Sequence, residues 1–237
     1  MASLIFGRNT VRESLTNSRV KNIYVSSSFG DKEIFSLAEK EGVLVHIVSS
    51  QKLDAMVSGN HQGIVAEIER FEYSSLDEII RSSKQIERPV ILLLDGINDP
   101  GNFGAILRSC DAFQVCGVII KKHGQVMLNP TVAKTSTGAI NYVKVAMVPN
   151  LSQAMDKLKE EGFWIVSSDG SAKTNYQDLK YDFPVGLIIG SEGEGISPLL
   201  IKRSDYVVKI PMSGHVNSLN ASVATGILLS YIHIKKL

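Results

Sequence analysis

Residues 90–109 read VILLLDGINDPGNFGAILRS: a continuous apolar run, a turn of glycine and polar residues, and then an apolar-periodic stretch. The run predicts a strand buried on both faces, and residues 103–113 predict the helix that follows it. The same alternation of strand and helix continues along the chain, through segments such as 152–162, 163–169 and 185–190. Strands separated by helices in this way predict an α/β fold with a parallel sheet covered on both faces.

A smaller α/β unit precedes this region. Its predicted segments are strands at 22–27, 43–49 and 63–71 and an amphipathic helix at 31–42. Polar residues dominate the stretch that follows, up to Pro89. We therefore predict a domain over residues 1–71, a linker over 72–88 that contains a short helix, and a larger domain over 89–237.

The composition restricts the class of protein. The 237 residues are 44% hydrophobic and 21% charged, which excludes a coiled coil, a collagen-like chain and wholesale disorder. The net charge is +1, so no overall positive field attracts nucleic acid, and any nucleic-acid partner would have to be held by a local patch. Two cysteines and five scattered histidines indicate neither a disulfide nor a metal site. No apolar run approaches the roughly 20 residues that span a bilayer, and no signal peptide is recognisable. We therefore expect a metal-free, soluble cytoplasmic protein.

The first of three unusual loops runs from Asp95 to Gly104 and leads into a predicted helix. Asn102 is a good helix cap, and Gly104, Arg108 and Asp111 share one helix face by their spacing. Ligands of open α/β sheets gather in loops beyond the carboxyl ends of strands. The same spacing also fits an ordinary loop with an exposed Arg108–Asp111 ion pair, so the residues alone leave both interpretations open.

Two further loops are predicted at the same edge of the sheet. Gly190–Gly195, GSEGEG, would let backbone approach a ligand closely, although it lacks the glycine spacing of a dinucleotide site. Residues 210–220, IPMSGHVNSLN, run into an apolar helix, where Ser218 and Asn220 are placed to cap it. A flexible turn and simple helix capping are the plain alternatives. His215 belongs to no nucleophile or triad pattern, so we assign it no role.

Together and in this order, the three loops resemble the motifs of the SpoU/TrmH family of RNA ribose methyltransferases, within the SPOUT superfamily. The matching segments are NDPGNFGAILRS (98–109), LIIGSEGEGIS (187–197) and IPMSGHVNSLNASVATG (210–226), and the similarity extends through LNPTVAKTSTGAI (128–140). The N-terminal part resembles the family's substrate-binding domain in the segments FGRNTVRESL (6–15) and NHQGIVAEI (60–68). This pairing is most similar to the branch that methylates the ribose of a guanosine in large-subunit ribosomal RNA.

The resemblance implies a deep trefoil knot in the C-terminal domain, a homodimer, and S-adenosylmethionine as methyl donor. It implies a donor pocket lined by Gly190, Ile210 and Leu219. It also implies a polar catalytic set, whose members are Asn102, Arg108, Glu192, Ser218 and Asn220. Family proposals make Arg108 the base, but arginine stays protonated in proteins. We expect Arg108 to hold a phosphate and orient the ribose hydroxyl instead, either within its own subunit or across the dimer.

RNA contacts are sought among local basic residues because the net charge is nearly zero. Arg8 and Arg12 lie on one face of a first predicted helix, which Asn9 or Thr10 could cap. The candidate phosphate contacts are Arg8, Arg12, Arg19, Lys21, Lys121 and Lys122. Scattered, solvated charges are the alternative interpretation of these residues.

The predicted function is therefore methyl transfer from S-adenosylmethionine to the ribose 2′-hydroxyl of a guanosine in large-subunit (23S) rRNA. There are two alternatives: a tRNA guanosine 2′-O-methyltransferase, and an RNA-binding module without catalytic activity. A nucleotide-binding oxidoreductase is disfavoured because its glycine fingerprint is missing.

Overall fold

The structure is a computed structural model that describes residues 3–16, 20–68 and 71–235. Contacts divide the chain into two compact units. The first consists of Met1–Glu72 together with Met127–Tyr142, and the second of Tyr73–Val126 together with Val143–Leu237.

The first unit contains a four-stranded mixed sheet with the strand order β1-β4-β2-β3. Its strands are β1 (Ser3–Phe6), β2 (Val20–Ser26), β3 (Leu44–Val48) and β4 (Ile64–Ile68). The helices between them are α1 (Arg8–Thr16), α2 (Lys32–Lys40) and α3 (Ser50–Met56). Strands β1 and β2 are antiparallel to β4, and β3 is parallel to β2. Helix α1 already begins at Arg8, so Asn9 and Thr10 lie inside it, and the prediction that one of them caps the helix is wrong.

The second unit contains a seven-stranded sheet in which every paired strand is parallel, with the order β7-β6-β5-β10-β8-β11-β9. Its strands are β5 (Val90–Asp95), β6 (Gly117–Lys121), β7 (Val145–Val148), β8 (Trp164–Ser168), β9 (Thr174–Asn175), β10 (Val185–Gly190) and β11 (Tyr206–Lys209). The α/β class with a parallel sheet, predicted from the apolar runs, is confirmed.

The helices that follow residue 73 alternate with these strands. In chain order they are α4 (Leu76–Ser83), α5 (Pro100–Ala112), α6 (Pro130–Thr135), α7 (Leu151–Glu160), α8 (Pro198–Arg203) and α9 (Ala221–Ile234), with short 3-10 helices at Ala139–Asn141 and Tyr176–Asp178. All six residues of β5 are buried, as expected for a strand covered on both faces. Helix α4, which the sequence analysis placed in a linker, buries Ile79 and Ile80 in the core of the second unit.

Residues 127–142 group with the first unit, whereas the sequence analysis placed them in the larger domain. Helix α6 packs against β1 and buries Val132 and Ala133. Gly138 follows in a left-handed conformation (φ 95°), and a Cβ built on it would lie 2.4 Å from Cγ of Glu13. These are contacts between residues far apart in sequence, so no local pattern in this segment could indicate them.

Candidate active site

The three loops singled out in the sequence follow strands that are close in the parallel sheet. Strands β5 and β10 are adjacent and in register, with Asp95 opposite Gly190 at their carboxyl ends. Strand β11, which precedes the third loop, pairs with β8, the other neighbour of β10. The loops therefore emerge from one edge of the sheet, which is where α/β proteins bind ligands.

The first loop ends in a helix cap that leaves one amide side chain free. Asp99, and not Asn102 as predicted, caps α5: its Oδ1 accepts a hydrogen bond of 2.7 Å from the backbone N–H of Asn102. Pro100 occupies the first turn of α5, where its missing N–H is not required. The side chain of Asn102 is consequently available for contacts across the site.

Glu192 links the three loops through one carboxylate oxygen. Its Oε1 accepts hydrogen bonds from Nδ2 of Asn102 (2.8 Å), from Nδ2 of Asn220, and from the backbone N–H of Ala221 (3.4 Å). Nδ2 of Asn220 also donates to Oδ1 of Asn102 over 2.9 Å. We call Asn102, Glu192 and Asn220 the amide–carboxylate network. Glu192 therefore holds the amide side chains of Asn102 and Asn220 in place.

Asn220 has a second task at the start of α9. Its Oδ1 accepts hydrogen bonds from the N–H groups of Ser222 (2.9 Å) and Val223 (3.3 Å), so it caps the helix as the sequence indicated. The cap fixes the oxygen of this amide, and the amide nitrogen then points to Glu192 and Asn102. The side chain of Asn220 thus caps α9 and takes part in the amide–carboxylate network at the same time.

The loop after β10 closes on itself in a tight hydrogen-bonded turn. The N–H of Ser191 donates to the carbonyl of Gly195 (3.2 Å), and the N–H of Gly195 donates to the carbonyl of Ser191 (2.9 Å). Gly195 has a φ of 69°, which favours glycine. A Cβ built on Gly190 would lie 2.1 Å from the carbonyl carbon of Gly195, so only glycine fits at the base of the turn.

A cavity of about 350 Å³ lies beside this turn, and we call it the first cavity. The predicted donor-pocket residues Gly190, Ile210 and Leu219 line it, as do Glu192 and Ser218. Its lining also includes residues that the sequence analysis did not select: Ser168, Asp169, Gly170, Met212 and Asn217. The stretch SSDG (167–170) at the end of β8 was the available signal, because it is a further polar loop at the same sheet edge.

Arg108 lies apart from the amide–carboxylate network. It is exposed on α5, and within residues 3–16, 20–68 and 71–235 it forms no hydrogen bond or ion pair. The alternative interpretation of the first loop, an Arg108–Asp111 ion pair, is therefore not realised there. A free guanidinium at this position remains available to an external anion.

A buried ion pair supports the base of the site. Nζ of Lys121 lies 2.7 Å from Oδ1 of Asp95, which is 6% exposed, and Oδ2 of Asp95 accepts a hydrogen bond of 2.8 Å from the N–H of Ser197. Burial alone would raise the pKa of Asp95, but the hydrogen bonds from Lys121 and Ser197 and the positive charge of Lys121 hold it below its ordinary value of 3.8. The ion pair joins β5 to β6, and the hydrogen bond from Ser197 connects Asp95 to the start of α8.

The proposed phosphate contacts differ in how free their charges are. Arg12 is engaged with Asp31 (3.3 Å) and Glu33 (3.1 Å), whereas the guanidinium of exposed Arg8 lies 5.2 Å from the ring centroid of Phe29. Lys21 and Lys122 are exposed, Lys121 is paired as above, and Arg19 lies outside the described residues. Arg8 is therefore the stronger of the two arginine candidates on α1.

Within the described ranges, no group of three or more His, Cys, Asp or Glu side chains is arranged to hold a metal ion. No helix in that part of the chain is both long and apolar enough to cross a membrane.

Solved structures of other proteins share this fold. The SpoU methyltransferase AviRb from Streptomyces viridochromogenes superposes with a TM-score of 0.85 at 24% identity, covering 99% of this chain and 90% of AviRb. An AdoMet-bound rRNA methyltransferase from Sinorhizobium meliloti superposes with a TM-score of 0.83 at 23% identity, covering 100% of this chain and 88% of that one.

Sequence relatives extend over nearly the whole chain. YacO of Bacillus subtilis (strain 168), described as a TrmH family tRNA/rRNA methyltransferase, is 38% identical over 237 residues, which cover 98% of this chain and 95% of YacO. A Staphylococcus haemolyticus protein with the same description is 40% identical over 238 residues, covering 98% and 96%. Residues 4–74 match the family model for RNA 2′-O ribose methyltransferase substrate binding, and residues 89–230 match that of the SpoU rRNA methylase family. The chain therefore belongs to the SpoU/TrmH family of RNA 2′-O ribose methyltransferases.

Proposed function

We propose that this protein transfers a methyl group from S-adenosylmethionine to the ribose 2′-hydroxyl of a guanosine in large-subunit rRNA. The observation that carries the proposal is the amide–carboxylate network beside the first cavity. Three side chains from three loops are held together there by mutual hydrogen bonds. A module that only bound RNA would have no need of such a preorganised polar set beside a ligand-sized cavity.

The first cavity fits S-adenosylmethionine in size and charge. Its volume of about 350 Å³ is within the range of small-molecule sites. Asp169, Glu192 and Glu194 line it, and no basic side chain does so among the described residues. Carboxylates without a competing cation suit a ligand whose sulfonium and ammonium groups together outweigh its single carboxylate. Gly190, Ile210 and Leu219 would form its walls, and the bound donor would supply an electrophilic methyl carbon.

The residues of this chain act mainly by orientation. A ribose hydroxyl is a weak acid and a weak nucleophile, so its alignment is a large part of the barrier. Asn102 and Asn220 present amide groups whose directions are fixed by Glu192. Arg108 would hold an RNA phosphate through its guanidinium and orient the hydroxyl. Ser218 would add a hydroxyl on the side of the first cavity.

A deep trefoil knot and a homodimer complete the proposal. The insertion of β10 between β5 and β8 supports the knot, because the chain returns to the middle of the sheet near its end.

Val223 and Ile234 of α9 are 49% and 62% exposed, which supports a contact with a second copy of the chain. Light scattering after gel filtration would test the dimer, and a mass of 25.9 kDa would contradict it.

The experiment uses RNA from cells that lack this protein, because the target nucleotide in that RNA is unmethylated. In the cell, we expect the reaction to take place in the cytoplasm. The RNA is incubated with the protein and labelled S-adenosylmethionine, rRNA is separated from tRNA, and ribose methylation is mapped. Label on one guanosine of large-subunit rRNA is the expected result. Label in tRNA would support the second candidate, since the relatives are described as tRNA/rRNA methyltransferases.

Two negative outcomes are informative. If no RNA is labelled although the donor binds, the assay is repeated with ribosome assembly intermediates as substrate, and a second absence of label would contradict methyl transfer. An absence of both label and donor binding would leave an RNA-binding module. RNA affinity should also fall with rising salt, and an affinity that does not respond to salt would contradict the phosphate contacts, including Arg8.

A further inference from the structure

A second cavity, of about 740 Å³, lies on the other side of the Glu192 loop, at the carboxyl ends of β5 and β6. The turn Ser191–Gly195 and Ala221 line both cavities and separate them. Asn102 lines only the second cavity, and Ser218 only the first. The amide–carboxylate network thus borders two spaces, of which the proposed donor requires one.

The reaction geometry requires a second space of this kind. Displacement at a methyl carbon brings the entering oxygen in on the side opposite the leaving sulfur, so donor and acceptor approach the carbon from opposite directions. A volume of about 740 Å³ suffices for a nucleoside. The second cavity is therefore the space that this chain offers to the acceptor.

The charges of the second cavity suit a base better than a phosphate. Lys121 is its one cation among the described residues and is already paired with Asp95, while Asp99, Glu192 and Glu194 add three carboxylates. This excess of negative charge repels a phosphate. It favours a ligand that donates hydrogen bonds to carboxylates and accepts one from an ammonium group.

Two of those carboxylates keep free acceptor capacity. Asp99 uses Oδ1 in capping α5, and the structure gives its other oxygen no bond within the described ranges. Glu194 is exposed, and in the same ranges its carboxylate has neither a hydrogen bond nor an ion pair. Guanine presents N–H donors at N1 and N2 beside an acceptor at O6, which is the complementary pattern. Adenine, cytosine and uracil do not offer two adjacent donors next to an acceptor.

We propose that the second cavity binds the base of the acceptor nucleotide and selects guanine, with Lys121 donating to O6 and Asp99 and Glu194 accepting from N1–H and the N2 amino group. The proposal rests on the methyl transfer proposed above and identifies the residues that choose its substrate. Asp95 acts through Lys121 as a positioning residue, since it holds the ammonium group in place.

The test uses transcripts of the mapped RNA segment that carry guanosine, inosine or adenosine at the methylated position, with single-turnover kcat/KM as the readout. Inosine retains O6 and N1–H but lacks the amino group. For the wild-type protein we expect inosine to be about tenfold poorer than guanosine, the effect of one hydrogen bond to a charged group, and adenosine to be poorer still. Equal methylation of adenosine and guanosine would overturn the proposal.

Three variants locate the selection. We expect E194Q, which weakens the acceptor for the N2 amino group, to reduce the preference for guanosine over inosine to about threefold or less. Asp99→Asn preserves a capping oxygen, and we expect D99N, which weakens the acceptor for N1–H, to reduce the preference for guanosine and inosine over adenosine. Lys121→Met should lower kcat/KM by about tenfold for guanosine and inosine alike. Lys202→Met, an exposed lysine of α8 outside both cavities, is the matched control and should change neither value.

The outcomes separate the two proposals. If the wild-type protein labels RNA but D99N and E194Q retain its base preference and K121M retains its kcat/KM, the second cavity is not the base site and methyl transfer stands. If no RNA is labelled by the wild-type protein, methyl transfer fails and base selection fails with it. Donor affinity and thermal stability of each variant show whether the protein is still folded.

Discussion

Replacement of Gly190 by alanine tests whether the turn after β10 shapes the donor site. A Cβ at this position would lie 2.1 Å from the carbonyl carbon of Gly195 and 2.3 Å from its oxygen. Because these are backbone atoms, the turn must move by about 1 Å or more to relieve the contact. Overpacking of this kind costs about 1–3 kcal/mol, and a displacement of about 1 Å in a site can reduce activity about a hundredfold.

The assay is calorimetric titration of the variant with S-adenosylmethionine, together with thermal unfolding. We expect donor affinity to fall at least about tenfold and Tm to fall by about 2–4 °C for each kcal/mol lost. Gly214→Ala is the matched control: it lies in the third loop outside the lining of both cavities, and a Cβ there would meet nothing within 4 Å. Donor binding by G190A within threefold of the wild-type value would refute the reasoning.

Four other substitutions or treatments test separate features of the structure. Asn220→Ser keeps a capping oxygen for α9 but removes the amide nitrogen, so Tm should stay within about 2 °C while single-turnover methyl transfer falls about a hundredfold; equal activity would contradict the network. Arg108→Lys should bind RNA more weakly without loss of stability, and near-normal turnover at saturating RNA would exclude an essential guanidinium in the chemistry. Burial raises the pKa of the Cys110 thiol, so a thiol reagent at about pH 8 should modify at most Cys116 in the folded protein; two reactive thiols would refute this. Folding lowers the pKa of Asp95 below its ordinary value of 3.8, so the stability that this carboxylate contributes is complete above the unfolded pKa and is lost as the pH falls through the folded pKa. Asp95→Asn should therefore flatten the loss of stability as the pH falls below 3.8, as measured by urea unfolding, and an unchanged loss would contradict the stabilising ion pair.

The parallel sheet could be predicted from the sequence because its central strands are almost continuously apolar. VILLLD in β5 and VGLIIG in β10 have this pattern, and both lie in the middle of the sheet. The short strands β1, β7 and β9 were not predicted, since two to four residues carry no distinct periodicity. Their positions depend on the strands beside them.

Some residues of the candidate site could be predicted from the sequence, but their contacts could not. The family resemblance selects Asn102, Glu192 and Asn220, and these three side chains are hydrogen-bonded to one another. The sequence predicts Asn102 rather than Asp99 as the cap of α5, because aspartate and asparagine both favour the N-cap position and only the backbone conformation decides between them. The Lys121–Asp95 ion pair joins residues on two strands, so its existence depends on how those strands are paired in the sheet.

The grouping of Met127–Tyr142 with Met1–Glu72 has a consequence for the chain as a whole. The polypeptide passes between the two units three times, after residues 72, 126 and 142, so neither unit is a single continuous stretch. A protein shortened to residues 1–72 would lack Val132 and Ala133, which α6 buries in the same unit. Exchange of the first unit between relatives would therefore require two segments to be transferred together. Recombination at a single crossover after residue 72 would combine residues 1–72 of one relative with residues 127–142 of another, so the buried residues of this unit would come from two different proteins.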